Sequence, residues 1–328
     1  MKTVISLFLK IFFSDNLILL SSPLQVLNFK ELLYLKKNIQ LNSEDTILFI
    51  ADNEDDKRYI NIPHLIKKLK LKNDILYIKK KKDKFFLYLF AKIRKILFFK
   101  FNQIIVGNFD SIINNFFIKI SKNSLILDDG TNIFEKCKIK KIKNFNSKFF
   151  SFFEKKIFNS HCYIENQFLY LKSVNQKKKT IINTKSKVFI LGSPYVNHKY
   201  MRQFTYNLIL EKIVKKINSK EVFYIPHPKE KYFSIKKIKK IKVLPNKTNV
   251  EFFFSNLKFY PKKIFAFSST SLITLNIISK KFNLINIKPS FKLYKDNFIP
   301  NYIKNYYRIN NIYNYLKKIK IPTKNIKL

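Results

Sequence analysis

The chain has 328 residues, enough for one large or two medium domains, and its 46% hydrophobic content excludes a protein that is disordered throughout. Its three glycines form neither G-x-G-x-x-G nor G-x-x-x-x-G-K-[ST], which excludes both common glycine-rich phosphate loops. The formal net charge of +44 favours an anionic membrane or anionic substrate over nucleic acid, because the basic residues are mostly lysines spread along the whole chain.

The first residues, 1–13, are apolar but short, contain lysines and lack a small-residue cleavage site, so no secretory signal is predicted. No uncharged apolar run reaches the roughly 18 residues that a transmembrane helix needs, although a peripheral amphipathic segment is an alternative. Cys137 and Cys162 have no metal spacing and form no disulfide framework, which fits a reducing cytosol. We therefore expect a cytoplasmic protein.

Apolar runs and helical patterns alternate through the first half of the chain. The predicted strands are residues 16–20, 46–50, 74–78, 102–106 and 125–127. The predicted helices are a first one that ends near residue 35, then 62–71, 85–98 and 111–117. Strands that alternate with helices predict a parallel, doubly wound sheet with right-handed crossovers.

A polar, lysine-rich stretch at residues 171–187 indicates an interdomain linker, and a second alternating set follows it. Its predicted strands are residues 188–191, 221–225, 241–244, 263–267 and 283–287. Its predicted helices are residues 210–217, 250–257, 272–279 and a basic, aromatic one at 302–319. The sequence therefore predicts an α/β protein with Rossmann-like domains at 1–176 and 177–328 and a cleft between them. The last helix could pack on the first domain or on a partner.

An acidic turn follows the last predicted strand of the first half. The apolar run at 125–127 stops at Asp128, Asp129 and Gly130, and glycine permits a backbone angle that other residues resist. Because ligands of parallel sheets bind beyond the carboxyl ends of the strands, these carboxylates are candidates for acid–base chemistry. An ordinary Asp-Asp-Gly turn is the alternative.

Two further strand ends carry groups that suit an anion. His227 lies between Pro226 and Pro228, which favour an extended backbone, and its imidazole titrates near neutral pH. The hydroxyl cluster at 268–271 follows a strand and precedes a helix, where hydroxyls and free N–H groups form an anion site. A satisfied loop histidine and an ordinary helix cap are the alternatives.

In this order, the three motifs resemble those of the bacterial sialyltransferases, which share a D/E-D/E-G motif, a His-Pro motif and a paired Ser/Thr motif. The segment Ser21-Ser-Pro-Leu-Gln25 also resembles the start of the lipooligosaccharide sialyltransferase family, glycosyltransferase family 52. The resemblance extends from about Asn16 to Ser279. It implies a GT-B fold with two Rossmann-like domains, CMP-sialic acid as donor, and an inverting transfer that needs no metal or other cofactor.

The resemblance implies a role for each motif. Asp128 or Asp129 would be the general base that takes the proton of the acceptor hydroxyl. His227 would be the general acid or charge stabiliser at the CMP phosphate, and Ser268 and Ser269 would hydrogen-bond that phosphate. The other residues implied on the nucleotide side are Thr270, Gly192, Ser193, Pro226, Pro228, Lys229 and Glu230.

The resemblance also implies partners and a location. They are a nucleotide-sugar donor, a terminal sugar of lipooligosaccharide or capsule, and the inner face of the cytoplasmic membrane; an oligomer is left open. Alternatives with the same fold are a polysialyltransferase or a transferase of another CMP-ulosonic acid. From a different class, the alternative is a basic protein that binds a membrane or nucleic acid without catalysis. A coding bias towards lysine would explain the charge without any function.

One acidic segment could imitate a metal site. Asp52, Glu54 and Asp56 alternate like the Asp-x-Asp motif that holds a metal in many other glycosyltransferases. The segment lies in the first half and is followed by Lys57 and Arg58, so the sequence favours a solvated loop. No metal is expected.

Overall fold

A computed structural model describes most of the chain, and it divides the chain into two compact units, residues 1–170 and 171–328. The described residues are 9, 11–35, 45–50, 58–71, 75–78, 81–97, 99–107, 111–128, 130, 134, 147–158, 163–178, 187–198, 200–219, 221–230, 234–245, 248–290 and 302–326. Each unit is built around its own parallel sheet.

In the first unit, the described strands are β1 Asn16–Leu20, β2 Thr46–Ile50, β3 Ile75–Ile78, β4 Phe101–Val106, β5 Ser121–Leu127, β6 Lys148–Ser151 and β7 Tyr163–Glu165. The helices between them are α1 Pro23–Leu35, α2 Arg58–Leu69, α3 Lys81–Ile96 and α4 Ile112–Lys119, with a 3₁₀ turn at Lys155–Ile157. The sheet is parallel throughout, in the order β3-β2-β1-β4-β5-β6-β7. The strand order reverses between β1 and β4, which is where ligands of such sheets bind.

The apolar runs of the first unit form strands because helices cover both faces of a parallel sheet. Leu17 to Leu20 of β1 are all buried, and Leu19 pairs in register with Val106 of β4. Pro23 begins α1, where its missing N–H is not needed for a helical hydrogen bond. The core of this unit therefore follows from its uninterrupted hydrophobic strands.

In the second unit, the described strands are β8 Lys187–Leu191, β9 Glu221–Ile225, β10 Ile241–Val243, β11 Lys263–Ala266, β12 Leu284–Pro289 and β13 Thr323–Ile326. The helices are α5 Leu169–Lys178, which begins at the end of the first unit, α6 Gln203–Lys215, α7 Val250–Asn256, α8 Thr270–Ile278 and α9 Tyr302–Lys318, with a 3₁₀ turn at Ile235–Lys237. This sheet is also parallel, in the order β10-β9-β8-β11-β12-β13. Its order reverses between β8 and β11.

The predicted linker at 171–187 is wrong over its first half. Residues Leu169–Lys178 form α5, Leu171 is buried, and the Asn175 amide donates to the Tyr260 hydroxyl at 3.1 Å. Residues 179–186 lie outside the described part of the chain. The predicted domain boundary, between 176 and 177, lies inside this helix.

The last helix packs, over its described side chains, on its own unit. Ile309 and Tyr313 are buried in the core of the second unit, and the Tyr313 hydroxyl donates to the Ile287 carbonyl at 3.2 Å. The chain then continues into β13, a strand that was not predicted, as β6 and β7 were not. Among the described helices, none is both long enough and apolar enough to span a membrane.

Candidate functional site

Two of the three predicted motifs, together with Gly192 and Ser193, lie along one edge of the second sheet. Gly192 and Ser193 follow β8, His227 follows β9, and the hydroxyl cluster at 268–271 follows β11. β8 lies between β9 and β11, and the carboxyl ends of parallel strands meet at the same edge. The structure therefore brings these motifs together around the point where the strand order reverses. We call this the carboxyl edge of the second unit.

His227 is half-buried in a turn that fixes its ring. Its backbone N–H donates to Glu230 Oε2 at 3.0 Å, and its Nδ1 accepts from the backbone N–H of Lys229 at 3.1 Å. Pro228 and Lys229 are exposed on the outer side of the same turn. Because Nδ1 is an acceptor here, the neutral ring carries its proton on Nε2, which makes Nε2 a hydrogen-bond donor.

A buried chain of hydroxyl groups supports this turn from behind. Glu230 is 7% exposed and accepts from the Tyr224 hydroxyl through Oε1. The hydroxyls of Tyr224 and Tyr206 are 3.0 Å apart, and Tyr206 accepts from the backbone N–H of Ser193 at 3.1 Å. Burial raises the pKa of Glu230 to about 7, and it raises the pKa of both tyrosines well above 10. This buried hydrogen-bond network thus joins the end of β8 to the His227 turn.

Gly192 occupies a position that no larger residue fits. A Cβ atom there would lie 2.2 Å from Glu230 Oε2, 2.6 Å from the Tyr224 hydroxyl and 2.8 Å from the backbone nitrogen of His227. The end of β8 therefore passes directly against the His227 turn, and glycine permits that approach because it has no side chain.

The hydroxyl cluster at the end of β11 is held by its neighbours. Ser268 has a φ of 39°, in the left-handed region, and its backbone N–H donates to Asn286 Oδ1 at 3.1 Å. Its hydroxyl lies 2.7 Å from the Tyr195 hydroxyl. Ser269 caps α8 by accepting from the backbone N–H of Ser271 at 3.2 Å, and Thr270 is the first residue of that helix. The first amides of α8 therefore lie at the carboxyl edge.

In the first unit, Asp128 is used within the fold. It is 6% exposed, its Oδ2 accepts from the backbone N–H of Phe152 at 2.8 Å, and its carbonyl accepts from the Asn28 amide at 3.2 Å. It thus joins the end of β5 to the residue after β6. Asp129 lies outside the described residues. Gly130 has a φ of 72°, in the left-handed region that favours glycine.

The segment that resembles the start of family 52 lies where the first sheet reverses its strand order. Gln25 Oε1 accepts from the backbone N–H of Ser21 at 2.6 Å, and its amide donates to the carbonyl of Gly107, the residue after β4. Gln25 is fully buried, together with Asn28 and Glu31 of the same helix. This polar stripe was not predicted, although its spacing of three residues within an apolar helix was a signal.

The predicted acidic segment around Asp52, Glu54 and Asp56 lies outside the described residues, as do Cys137 and Cys162. Within the part of the chain that the structure describes, no three His, Cys, Asp or Glu side chains are grouped to hold a metal ion. Four residues around the carboxyl edge were not predicted, since nothing in the sequence distinguishes them from the other tyrosines and asparagines of the chain: Tyr195, Tyr206, Tyr224 and Asn286.

The carboxyl edge of the second unit carries several hydrogen-bond donors. His227 presents an Nε2–H, Ser268 and Ser269 have hydroxyls, and α8 contributes the partial positive charge of its first turn. Such a set suits an anion, above all a phosphate whose charge grows during a reaction.

The sequence matches no protein-family model and no curated protein. The fold is similar to that of an alpha/beta-galactoside alpha-2,3-sialyltransferase from the luminous marine bacterium Photobacterium phosphoreum. The two chains are 10% identical, the match covers 94% of this chain and 97% of that one, and the TM-score is 0.52.

Two other solved structures resemble the chain at lower TM-scores. A UDP-GlcNAc 2-epimerase from Neisseria meningitidis is 12% identical over 76% of this chain and 77% of that one, with a TM-score of 0.49. The E. coli ADP-heptose lps heptosyltransferase II is 9% identical over 92% and 99%, with a TM-score of 0.37. At these TM-scores, neither likeness supports a conclusion about this chain.

The likeness to the sialyltransferase concerns the fold. It confirms the predicted α/β, GT-B class with two Rossmann-like units. Membership of family 52 and the cleft between the domains stay predictions. The chain is thus a protein of GT-B fold with a sialyltransferase among its structural neighbours.

Proposed function

We propose that this protein is an inverting, metal-independent sialyltransferase that moves sialic acid from CMP-sialic acid to a terminal sugar of bacterial lipooligosaccharide or capsule. The observation that carries the proposal is the carboxyl edge of the second unit, where His227, Ser268 and Ser269 lie at the ends of nearby strands. The similarity in fold to an alpha-2,3-sialyltransferase supports it.

On the donor side, the carboxyl edge would hold the phosphate of CMP. The C–O bond between sialic acid and CMP breaks, and negative charge grows on the departing phosphate. The Nε2–H of His227, the hydroxyls of Ser268 and Ser269 and the first turn of α8 would stabilise that charge. A positioned group of this kind typically accelerates a reaction by about two to four powers of ten. Gly192, Ser193, Thr270, Pro228 and Lys229 would line the nucleotide, and Glu230 would hold the His227 turn.

On the acceptor side, Asp128 or Asp129 would take the proton from the attacking sugar hydroxyl, which is a poor nucleophile while it is protonated. Asp128 already accepts from the backbone of Phe152 at 2.8 Å, a contact that fixes its carboxylate. The single variants Asp128→Asn and Asp129→Asn distinguish the two: replacing the base lowers transfer by about two powers of ten or more, and replacing its neighbour changes transfer far less.

The membrane part of the proposal rests on charge. Lysines close to an anionic bilayer contribute about 1 kcal/mol each to binding, so a chain with a net charge of +44 would be held at the inner face of the cytoplasmic membrane. A lipid-linked acceptor would be concentrated at the same surface. Because the donors that we assign to the phosphate are protein groups, we expect EDTA to leave transfer unchanged.

The test is CMP release from CMP-sialic acid by the purified protein, with products identified by mass spectrometry. We expect release by the wild type, its loss in His227→Ala and in the double variant Asp128→Asn/Asp129→Asn, and normal release in His64→Ala. His64 is an exposed histidine on α2 of the first unit and serves as the matched control. Release that persists in His227→Ala would overturn the assignment of the phosphate site.

A donor screen separates the alternatives with the same fold. Turnover of another CMP-ulosonic acid, or repeated addition to a sialylated acceptor, would replace the sialyltransferase proposal by one of those transferases. If no CMP-sugar is turned over, a salt-sensitive shift of random DNA would favour the non-catalytic basic protein.

A further inference from the structure

A stripe of large apolar side chains runs along the outer face of α3. Phe85 and Ile96 are 62% and 71% exposed, and Phe86, Leu89 and Ile93 between them are also exposed. At 3.6 residues per turn, these five positions share about a third of the circumference of the helix. We call them the α3 stripe. Contiguous apolar surface of this kind usually marks a place where something binds.

The α3 stripe is not needed for the core of the first unit. The opposite side of the helix is buried through Leu87, Ala91 and Arg94. Arg94 donates to the carbonyls of Phe12 at 2.6 Å and Ser14 at 3.1 Å, and its guanidinium lies over the ring of Phe101. The helix is therefore anchored on one side and leaves a second apolar face outside.

Neighbouring residues extend this apolar surface. The ring of Phe12 lies 5.2 Å from that of Phe90 on α3 and 5.3 Å from that of Phe13. Phe13, Leu97 and Phe99 are all exposed, and Phe99 also contacts Phe12, with ring centroids 6.1 Å apart. The apolar face thus continues from the end of α3 onto the segment that Arg94 holds.

The charges beside the stripe indicate what covers it. Lys92 and Lys95 lie on one flank, with their ammonium groups over the rings of Tyr88 and Phe116 at 5.0 and 5.9 Å. Asp83 is the one acidic residue between positions 81 and 107 of the sequence. A second copy of a chain with a net charge of +44 would be repelled, whereas an anionic bilayer matches both the lysines and the apolar face.

We propose that the α3 stripe is the surface by which this protein docks on an anionic phospholipid bilayer. The helix lies in the plane of the membrane, its apolar face enters the boundary between head groups and acyl chains, and the flanking lysines contact lipid phosphates. This proposal identifies the surface for the membrane binding that is part of the proposed function. It rests on that function for the reason why the protein docks. The docking itself requires no catalysis, so it is tested separately.

The experiment is co-sedimentation of the full chain with vesicles of phosphatidylcholine, with and without phosphatidylglycerol. The test variant is Phe85→Glu/Ile96→Glu. The control is Ile112→Glu/Phe204→Glu, which removes the same two residue types from positions that are 80% and 72% exposed and changes the net charge equally. We expect the wild type and the control to bind the anionic vesicles, and the test variant to bind at least about ten-fold more weakly.

Equal binding by the test and control variants would overturn the proposal, because it would assign binding to the overall charge. Absence of wild-type binding to anionic vesicles would overturn it as well. A dimer on gel filtration that the test variant abolishes, with vesicle binding unchanged, would assign the stripe to a second copy of the chain. CMP release is measured on the same samples with a soluble acceptor, so a failure of docking and a failure of transfer are seen independently.

Discussion

The two sheets end in polar residues that serve different purposes. In the first unit, Gln25 and Asp128 are buried and bind backbone groups of their own unit, which holds neighbouring strand ends together. In the second unit, the buried chain of Tyr206, Tyr224 and Glu230 takes that structural task. In the second unit these buried residues support the strand ends, and His227 lies on the turn that Glu230 holds.

The largest effect on stability is expected at the glycines that directly follow β8 and β4. A Cβ at Gly192 would meet the backbone of His227 at 2.8 Å, whereas the three nearest atoms to a Cβ at Gly107 would all belong to the Gln25 side chain, from 2.0 Å. We expect Gly192→Ala to lower the free energy of unfolding by about 3 to 4 kcal/mol, and Gly107→Ala by about 2 kcal/mol. Urea denaturation measures both.

A second substitution in each protein tests whether the clash is with a side chain or with the backbone. Gln25→Ala should lower the free energy of unfolding less in the Gly107→Ala protein than in the wild type, because the truncation removes the clash with the new methyl group. Truncating Glu230 to Ala should not rescue Gly192→Ala, since the backbone contact with His227 persists. A rescue of Gly192→Ala would show that the second edge is no more rigid than the first.

The next largest effect is the pH dependence of stability that Glu230 causes. Burial raises the pKa of this carboxyl from 4.5 to about 7, so the unfolded chain loses the proton first as the pH rises. Its contribution to stability therefore falls between about pH 4.5 and 7, by about 3 kcal/mol. Glu230→Gln lacks this titration. Unfolding measured across that range should show the loss in the wild type relative to the variant, and parallel curves would contradict the burial of the carboxyl.

A smaller effect is expected at Asp128. Removal of its carboxylate in Asp128→Ala leaves the buried N–H of Phe152 without that acceptor, which should lower stability by about 2 kcal/mol. Asp128→Asn retains an oxygen and should lose about 1 kcal/mol or less. Thermal unfolding compares the two. Wild-type stability in Asp128→Ala would mean that this side chain does not hold the strand ends.

The smallest effect is expected at Ser268, whose φ of 39° is unfavourable for a residue with a side chain. Ser268→Gly relieves that strain and loses the contact with the Tyr195 hydroxyl, so the two changes nearly cancel, to within about 1 kcal/mol. Tyr195→Phe loses the hydroxyl contact with Ser268 and should be about 1 kcal/mol less stable than the wild type. A Ser268→Gly variant less stable than Tyr195→Phe would contradict this account.

Much of the fold could be predicted because its strands are short apolar runs that stop at turn residues. The strand at 16–20 was predicted with its observed bounds, and the parallel topology then placed His227 and Ser268 on one edge. β7 has three residues and β13 has three consecutive polar residues before Ile326, so neither carries a hydrophobic signal. α5 was mistaken for a linker because one buried leucine, Leu171, is a weak pattern among lysines and polar residues.

Candidate groups at the strand ends could be named from the sequence, but the hydroxyl groups that support the His227 turn could not. Tyr206 and Tyr224 lie on different elements, and only the folded sheet brings their hydroxyls to 3.0 Å. In the same way, the spacing of Gly192 and Glu230 along the chain gives no sign that they touch. Contacts between distant residues were therefore beyond the sequence analysis, whereas strand ends were within it.

We expect the carboxyl edge of the second unit to bind the phosphate of CMP. Equilibrium binding of CMP, measured by calorimetry, tests it without any need for an acceptor. The wild type and His64→Ala should bind CMP equally, and His227→Ala should bind it about ten- to a hundred-fold more weakly, since a hydrogen bond to a charged phosphate is lost. Equal affinity in all three proteins, or no CMP binding by the wild type, would contradict the claim.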